Sequence, residues 1–168
     1  LHAHEGQIGV VFAGGELGVA VATLGVPLLA ARMLKVDAIA LTRLLSLPFV
    51  LGMALLPLAL NEGGLLIALF GLCHVGRGTA FRMGGPLDDA FNMEVLDAQE
   101  RATNTGIEIA VGSALSAIAV LAGSRLMDSG DFTTPFLILA TGYLVSTVIY
   151  WRAFRPLEMS DLGPKAGE

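Results

Sequence analysis

An all-α bundle of five membrane-spanning helices is the fold that this sequence predicts, and three observations predict it. The 168 residues are 54% hydrophobic and only 15% charged, against about 45–50% and about 25% in ordinary soluble domains, and mean hydropathy is +0.71. The charges are bunched, leaving uncharged runs at 17–31, 44–61, 63–76, 109–124 and 132–151. None of these runs alternates as barrel strands do, and within hydrocarbon only helices and closed barrels satisfy their own backbone. The net charge of −5 supplies no basic patch for nucleic acid. A single cysteine, Cys73, makes neither a disulfide framework nor a thiolate metal site.

A helix needs about 20 mainly apolar residues to cross ~30 Å of hydrocarbon. Some of the runs reach that length only by taking a flanking charge inside. The predicted spans are therefore 7–31, 38–60, 65–92, 104–127 and 134–154. The first two are joined by Met33-Leu34-Lys35-Val36-Asp37, and the next pair by Asn61-Glu62-Gly63-Gly64. Asp97-Ala98-Gln99-Glu100-Arg101 forms the third link and Asp128-Ser129-Gly130-Asp131-Phe132 the last. Links this short make each helix antiparallel to the next. Pro135 falls in a first helical turn, which tolerates its missing N–H. Residues 1–156 form one transmembrane domain, and 157–168 a polar tail.

Lys and Arg set the orientation of short loops. Arg32, Lys35, Arg43, Arg101, Arg152, Arg155 and Lys165 fall on one side, and only Arg125 on the other. The carboxyl end is expected in the cytoplasm and the amino end outside, in a plasma (cytoplasmic) membrane. The chain opens on Leu1 with no signal-peptide pattern, so an outside amino end predicts further protein upstream.

Of the charges inside the predicted spans, Glu16, Arg77, Arg82 and Glu108 stand where charge is costly. A central arginine costs about 2.5–3.5 kcal/mol on insertion scales, so it faces protein or water. Two readings stand for these residues: contact with substrate or coupling ion, or pairing that holds helices in register. On an ideal helix Arg77 lies about 20° from Asp88, and Arg82 about 20° from Asp89, but Gly84-Gly85-Pro86 interrupts that geometry. For Asp88, Asp89 and Glu94, near the cytoplasmic end, the structural reading is preferred.

Gly14-Gly15-Glu16 opens a small-residue helix ending at Arg32, and Gly106-Ile107-Glu108 opens another ending at Arg125. The two run in opposite directions, as an inverted-topology repeat would. Gly14-x-x-x-Gly18 allows close helix approach. His74 reads as a packed interface residue, and His2 and His4 as a solvated end. No GxGxxG, P-loop, CxxC, HExxH or GxSxG occurs, so neither an enzyme, a cofactor nor a metal is expected.

One stretch carries a resemblance. Arg77-Gly78-Thr79-Ala80-Phe81-Arg82-Met83-Gly84-Gly85-Pro86, then Phe91-Asn92-Met93-Glu94-Val95, then Glu100-Arg101-Ala102-Thr103, resembles the tenth helix and following loop of major facilitator superfamily transporters. Gly25-Val26-Pro27-Leu28-Leu29-Ala30-Ala31-Arg32-Met33-Leu34-Lys35 is similar to that family's cytoplasmic Gly-rich basic loop, with Ala at its usual Asp and Leu34 at its Gly. The resemblance covers about residues 7–156 and implies helices eight through twelve of a secondary transporter. It implies a missing amino-terminal half as partner, a small solute as substrate and a proton or sodium ion for coupling. It makes Arg77 the first substrate or coupling candidate; Glu16 and Arg82 come next, and Glu108, a carboxyl within the fourth span, completes the candidates. It leaves Asp88, Asp89, Glu94, Glu100, Arg101, Arg32 and Lys35 as structural or gating candidates. The rival expectation is a scaffold or assembly protein in the bilayer whose buried charges only lock helices together.

Overall fold

The computed structural model describes residues 5–60 and 63–161, so His2, His4, Asn61, Glu62 and Lys165 lie outside the described residues. Among the described residues the chain is all helical and without strands. The helices are α1 (Glu5–Thr23), α2 (Val26–Ala30), α3 (Lys35–Ala59), α4 (Gly64–Arg82), α5 (Gly85–Val95), α6 (Ala98–Asp128) and α7 (Thr133–Asp161). They make five segments long and apolar enough to cross a membrane: Gly9–Ala30, Lys35–Ala59, Gly64–Val95, Gln99–Asp128 and Thr133–Met159.

Two of these segments are broken by the same local chemistry. α1 gives way to α2 at Leu24–Gly25, with Pro27 in the first turn of the new helix. α4 gives way to α5 at Met83–Gly84, with Pro86 in the same place. Proline supplies no N–H and is best tolerated where a helix has just restarted. Pro48 and Pro57, by contrast, sit inside α3, which continues through both.

α3 is the hub. Val36, Ala38, Ile39, Ala40, Val50, Met53 and Ala54 are buried along it, and α2, α4, α5 and α7 pack around it. Its buried hydroxyls are satisfied within the helix: Thr42 donates to the Ile39 carbonyl (2.8 Å) and Ser46 to that of Arg43 (2.6 Å). A small core joins α2, α3 and α5 through Val26, Ala38, Ile39 and Leu87, with Tyr150 of α7 against it.

Side-chain register fixes the helix directions. Along α3 and α4, Gly52 faces Cys73 and Phe49 faces Gly76, so the two run antiparallel. α1 runs parallel to α4, because Gly71 faces Val11, Gly14 faces Val75 and Gly18 faces Thr79. α7 is antiparallel to α3, with Thr133 donating to the Ala54 carbonyl at one end and Glu158 capping Lys35 and Val36 at the other. Glycine lets these backbones approach closely. A Cβ on Gly18 would stand 2.6 Å from the Thr79 hydroxyl, and one on Gly76 would stand 2.5 Å from the Phe49 ring.

α6 is the exception. No residue of its spanning segment is buried, and it touches α5 and α7 only sparsely. Ile107, Ile109, Val111, Leu115, Ile118 and Leu121 are all exposed along it. A helix apolar around its whole circumference belongs in lipid or against other helices.

One end of the bundle is fastened by charge. Glu158 accepts from the N–H groups of Lys35 (2.6 Å) and Val36 (2.9 Å), two of the donors that a helix start leaves orphaned. Asp37 accepts from the Trp151 indole (2.7 Å) and pairs with Arg155 (3.1 Å), whose guanidinium stands over the Trp151 ring. Lys35 pairs with Glu94. Arg101 donates to the Leu96 carbonyl (2.9 Å) and to that of Met93, closing the open carbonyls at the end of α5. Arg32, Asp89 and Glu100 are exposed at the same end.

Candidate functional site

α4 carries His74, Arg77 and Arg82 on successive turns, and the three charged or titratable groups go to different neighbours. Arg82 reaches α1, where its guanidinium donates to Glu16 at 2.6 Å. Both side chains stay largely exposed, 57% for Arg82 and 67% for Glu16. Arg77 turns the other way, toward α7, and donates to the Tyr143 hydroxyl at 3.1 Å. Tyr143 is held by stacking on Phe81, with ring centroids 5.0 Å apart and planes at 18°.

Arg77 pairs with no carboxylate among the described residues. That separates it from Arg43, Arg82 and Arg155, each of which has one. Arg77 is a half-buried guanidinium in a spanning helix, with the Tyr143 phenol as its side-chain hydrogen-bond partner. A central arginine costs about 2.5–3.5 kcal/mol on insertion scales, and no carboxylate among the described residues offsets that cost at Arg77.

Two cavities meet at His74 and Arg77. The larger, of about 630 Å³, lies between α3, α4 and α7 and is walled by residues such as Met53, Phe70, Phe136 and Leu139. The smaller, of about 70 Å³, lies between α1 and α4 and includes Glu16, Val75 and Arg82. His74 sits between them with its ring edge-on to Phe12, centroids 5.8 Å apart. The structure thus brings Glu16, Arg77 and Arg82 around one short length of α4.

Glu108 stands apart. It faces a third cavity, of about 490 Å³, with Arg43, Asp88, Asn92, Asn104 and Tyr150. There Asp88 accepts from the Tyr150 hydroxyl (2.9 Å) and pairs with Arg43 (3.6 Å), whose guanidinium lies 4.5 Å above the Tyr150 ring.

The helical-wheel pairs Arg77 with Asp88 and Arg82 with Asp89 do not form. The break at Gly84 restarts the helix as α5, and Asp88 is carried to α3 and α7 while both arginines stay with α1 and α7. Tyr143 and Tyr150 were not singled out by sequence. Their signal is a phenol inside an apolar run, whose hydroxyl has to find a partner. Among the described residues no group of three or more His, Cys, Asp or Glu is placed to hold a metal ion.

Fold and site together define an all-α bundle with five helices long and apolar enough to cross a membrane, in which Arg77, without a carboxylate partner among the described residues, lines a cavity. No family model matches the chain, and no curated protein or solved structure matches it.

Proposed function

We propose that the chain is part of a secondary transporter of the major facilitator type, which moves a small solute by alternating access. The observation that carries this reading is Arg77: a guanidinium in a spanning helix, without a carboxylate partner among the described residues, lining both cavities of its helix. Intramembrane charge left unneutralised by the fold marks a pathway for solute or ions. Arg77 contacts the solute, and the neighbouring Glu16–Arg82 pair takes up and releases a coupling proton or sodium ion. Glu108, beside Asp88 and Arg43, is a second coupling candidate. The end fastened by Lys35, Arg101 and Arg155 faces the cytoplasm, as the positive-inside rule directs. The remaining spans of the transporter, including its other half, cover α6 and complete the path.

In the full-length protein reconstituted into liposomes, Arg77→Ala and Glu16→Gln abolish flux across a panel of labelled anions, cations and neutral solutes, while expression is preserved. Normal flux in both variants would sink the assignment.

A scaffold reading is favoured by a different observation. Glu16–Arg82, Arg43–Asp88, Lys35–Glu94 and Arg155–Asp37 each join separate helices. It predicts that Glu16→Arg combined with Arg82→Glu restores the folding that either change alone destroys, and that liposomes show no solute flux.

A further inference from the structure

We infer that the cavity between α3, α4 and α7 binds an organic monoanion with a flat apolar body, an aromatic carboxylate, with its carboxylate on the Arg77 guanidinium. The inference deepens the transporter reading and rests on it for the claim that this ligand is the solute carried.

Size, lining and charge converge. The volume of about 630 Å³ falls within the range of about 300–1,000 Å³ typical of small-molecule sites. The walls are apolar and rich in rings: Phe70 and Phe136 stand edge-to-face at 5.7 Å and 76°, and Phe132 lies beside them. Such an arrangement accepts a further flat ring by the same edge and face contacts. Met53 and Met127 add side chains that adjust to the ligand outline.

Polarity is confined to one end. Leu60, Leu66 and Phe132 line the part of the cavity near the helix ends, whereas His74 and Arg77 line the part deeper along α4. From Leu66 to Arg77 the helix rises about 16 Å, enough to hold an apolar body with its charged group innermost.

The charge balance selects the ligand class. A guanidinium has five donors in a planar fork, and Tyr143 accepts from one nitrogen, Nη1. Glu16, which lines the smaller cavity with Arg77, is occupied by Arg82. A bound carboxylate therefore supplies the missing counter-charge and meets the fork two oxygens to two N–H groups. A cation is repelled, and a neutral ligand leaves the charge uncompensated. One guanidinium matches one negative charge.

The test uses purified full-length protein and radiolabelled 2-naphthoate, with 2-naphthylmethanol and 2-naphthylmethylammonium as competitors. Naphthoate binds saturably, the alcohol competes at least about tenfold more weakly, and the ammonium does not compete. Arg77→Gln lowers naphthoate affinity about tenfold or more, the lower end for a lost charged hydrogen bond, and brings acid and alcohol to the same affinity. Arg77→Lys restores part of the preference for the acid. Leu139→Trp, which fills the cavity and leaves the charge in place, blocks both ligands and serves where Arg77→Gln does not fold. Absent saturable binding, or binding indifferent to both Arg77→Gln and Leu139→Trp, overturns the inference. If naphthoate binds through Arg77 but nothing crosses the bilayer, the site stands and the transporter reading falls. If an Arg77-dependent flux of a cation or sugar is found without naphthoate binding, the transporter reading stands and the site falls.

Discussion

A cysteine placed at Gly52 should cross-link to the natural Cys73, and the geometry leaves little room for another result. An ideal Cβ at position 52 lies 3.9 Å from the Cys73 Cβ and 2.8 Å from its sulfur. Disulfides hold their Cβ atoms about 3.5–4.5 Å apart, with a mean near ~3.8 Å. Cys73 is the sole cysteine of these 168 residues, so Gly52→Cys meets no competing thiol within them. The assay places a protease site in the link after Leu60, oxidises the protein in membranes and cleaves it. Cleaved Gly52→Cys runs as one band without reductant and as two with it. Leu51→Cys and Met53→Cys, each rotated about 100° around α3, stay as two bands throughout. Efficient cross-linking of Leu51→Cys with none at Gly52→Cys would refute the α3–α4 register and, with it, the placement of Arg77 one turn beyond Cys73. In the transporter reading the bond lies within a single rigid body, so cross-linked protein keeps its flux.

Three further outcomes follow from named contacts. Tyr150→Phe keeps the ring under Arg43 but removes the O–H donated to Asp88. A hydrogen bond to a charged group contributes about 1.5–3 kcal/mol, so the thermal midpoint falls, and an unchanged midpoint would count against the Asp88 node. Glu158→Ala uncaps α3 and costs about 0.5–2 kcal/mol, read as faster amide exchange at Lys35 and Val36. Asp131, in the link before α7, accepts from the Thr134 side chain and from the N–H groups of Thr134 and Thr133, which hold its carboxyl below the usual aspartate range. Its folded pKa is lower than its unfolded one. The stabilisation is therefore present above the unfolded value and lost as pH falls through the folded value. Exchange at Thr133 and Thr134, corrected for intrinsic rate, should rise on acidification below about pH 4, and Asp131→Ala should remove that dependence.

The spans were legible because lipid imposes a length and excludes charge, and both constraints act on consecutive residues. The break at Gly84-Gly85-Pro86 was legible for the same local reason. Its counterpart at Gly25-Val26-Pro27 read as part of a loop motif, although it restarts a helix in the same way. Partner choice was not legible. Arg82 and Glu16 are 66 residues apart, as are Arg77 and Tyr143, and which of them meet depends on how α4 is rotated between α1 and α7. That rotation is set by glycines at 14, 18, 71 and 76, whose spacing matters only once the facing side chains are known. Glu158 read as part of a polar tail because nothing near it in sequence shows that the start of α3 lies beside it.

The same contact orders events during synthesis. The first amides of α3 meet their acceptor 123 residues downstream, roughly 6–25 s later at ~5–20 residues per second. Until then the helix around which the bundle is built has an open amino end, and Asp37 waits likewise for Trp151 and Arg155. The hub is sealed from the last helix backwards. A nascent chain that stops short of Glu158 therefore leaves its defect at the start of the helix on which the others pack, far in sequence from its own trailing end.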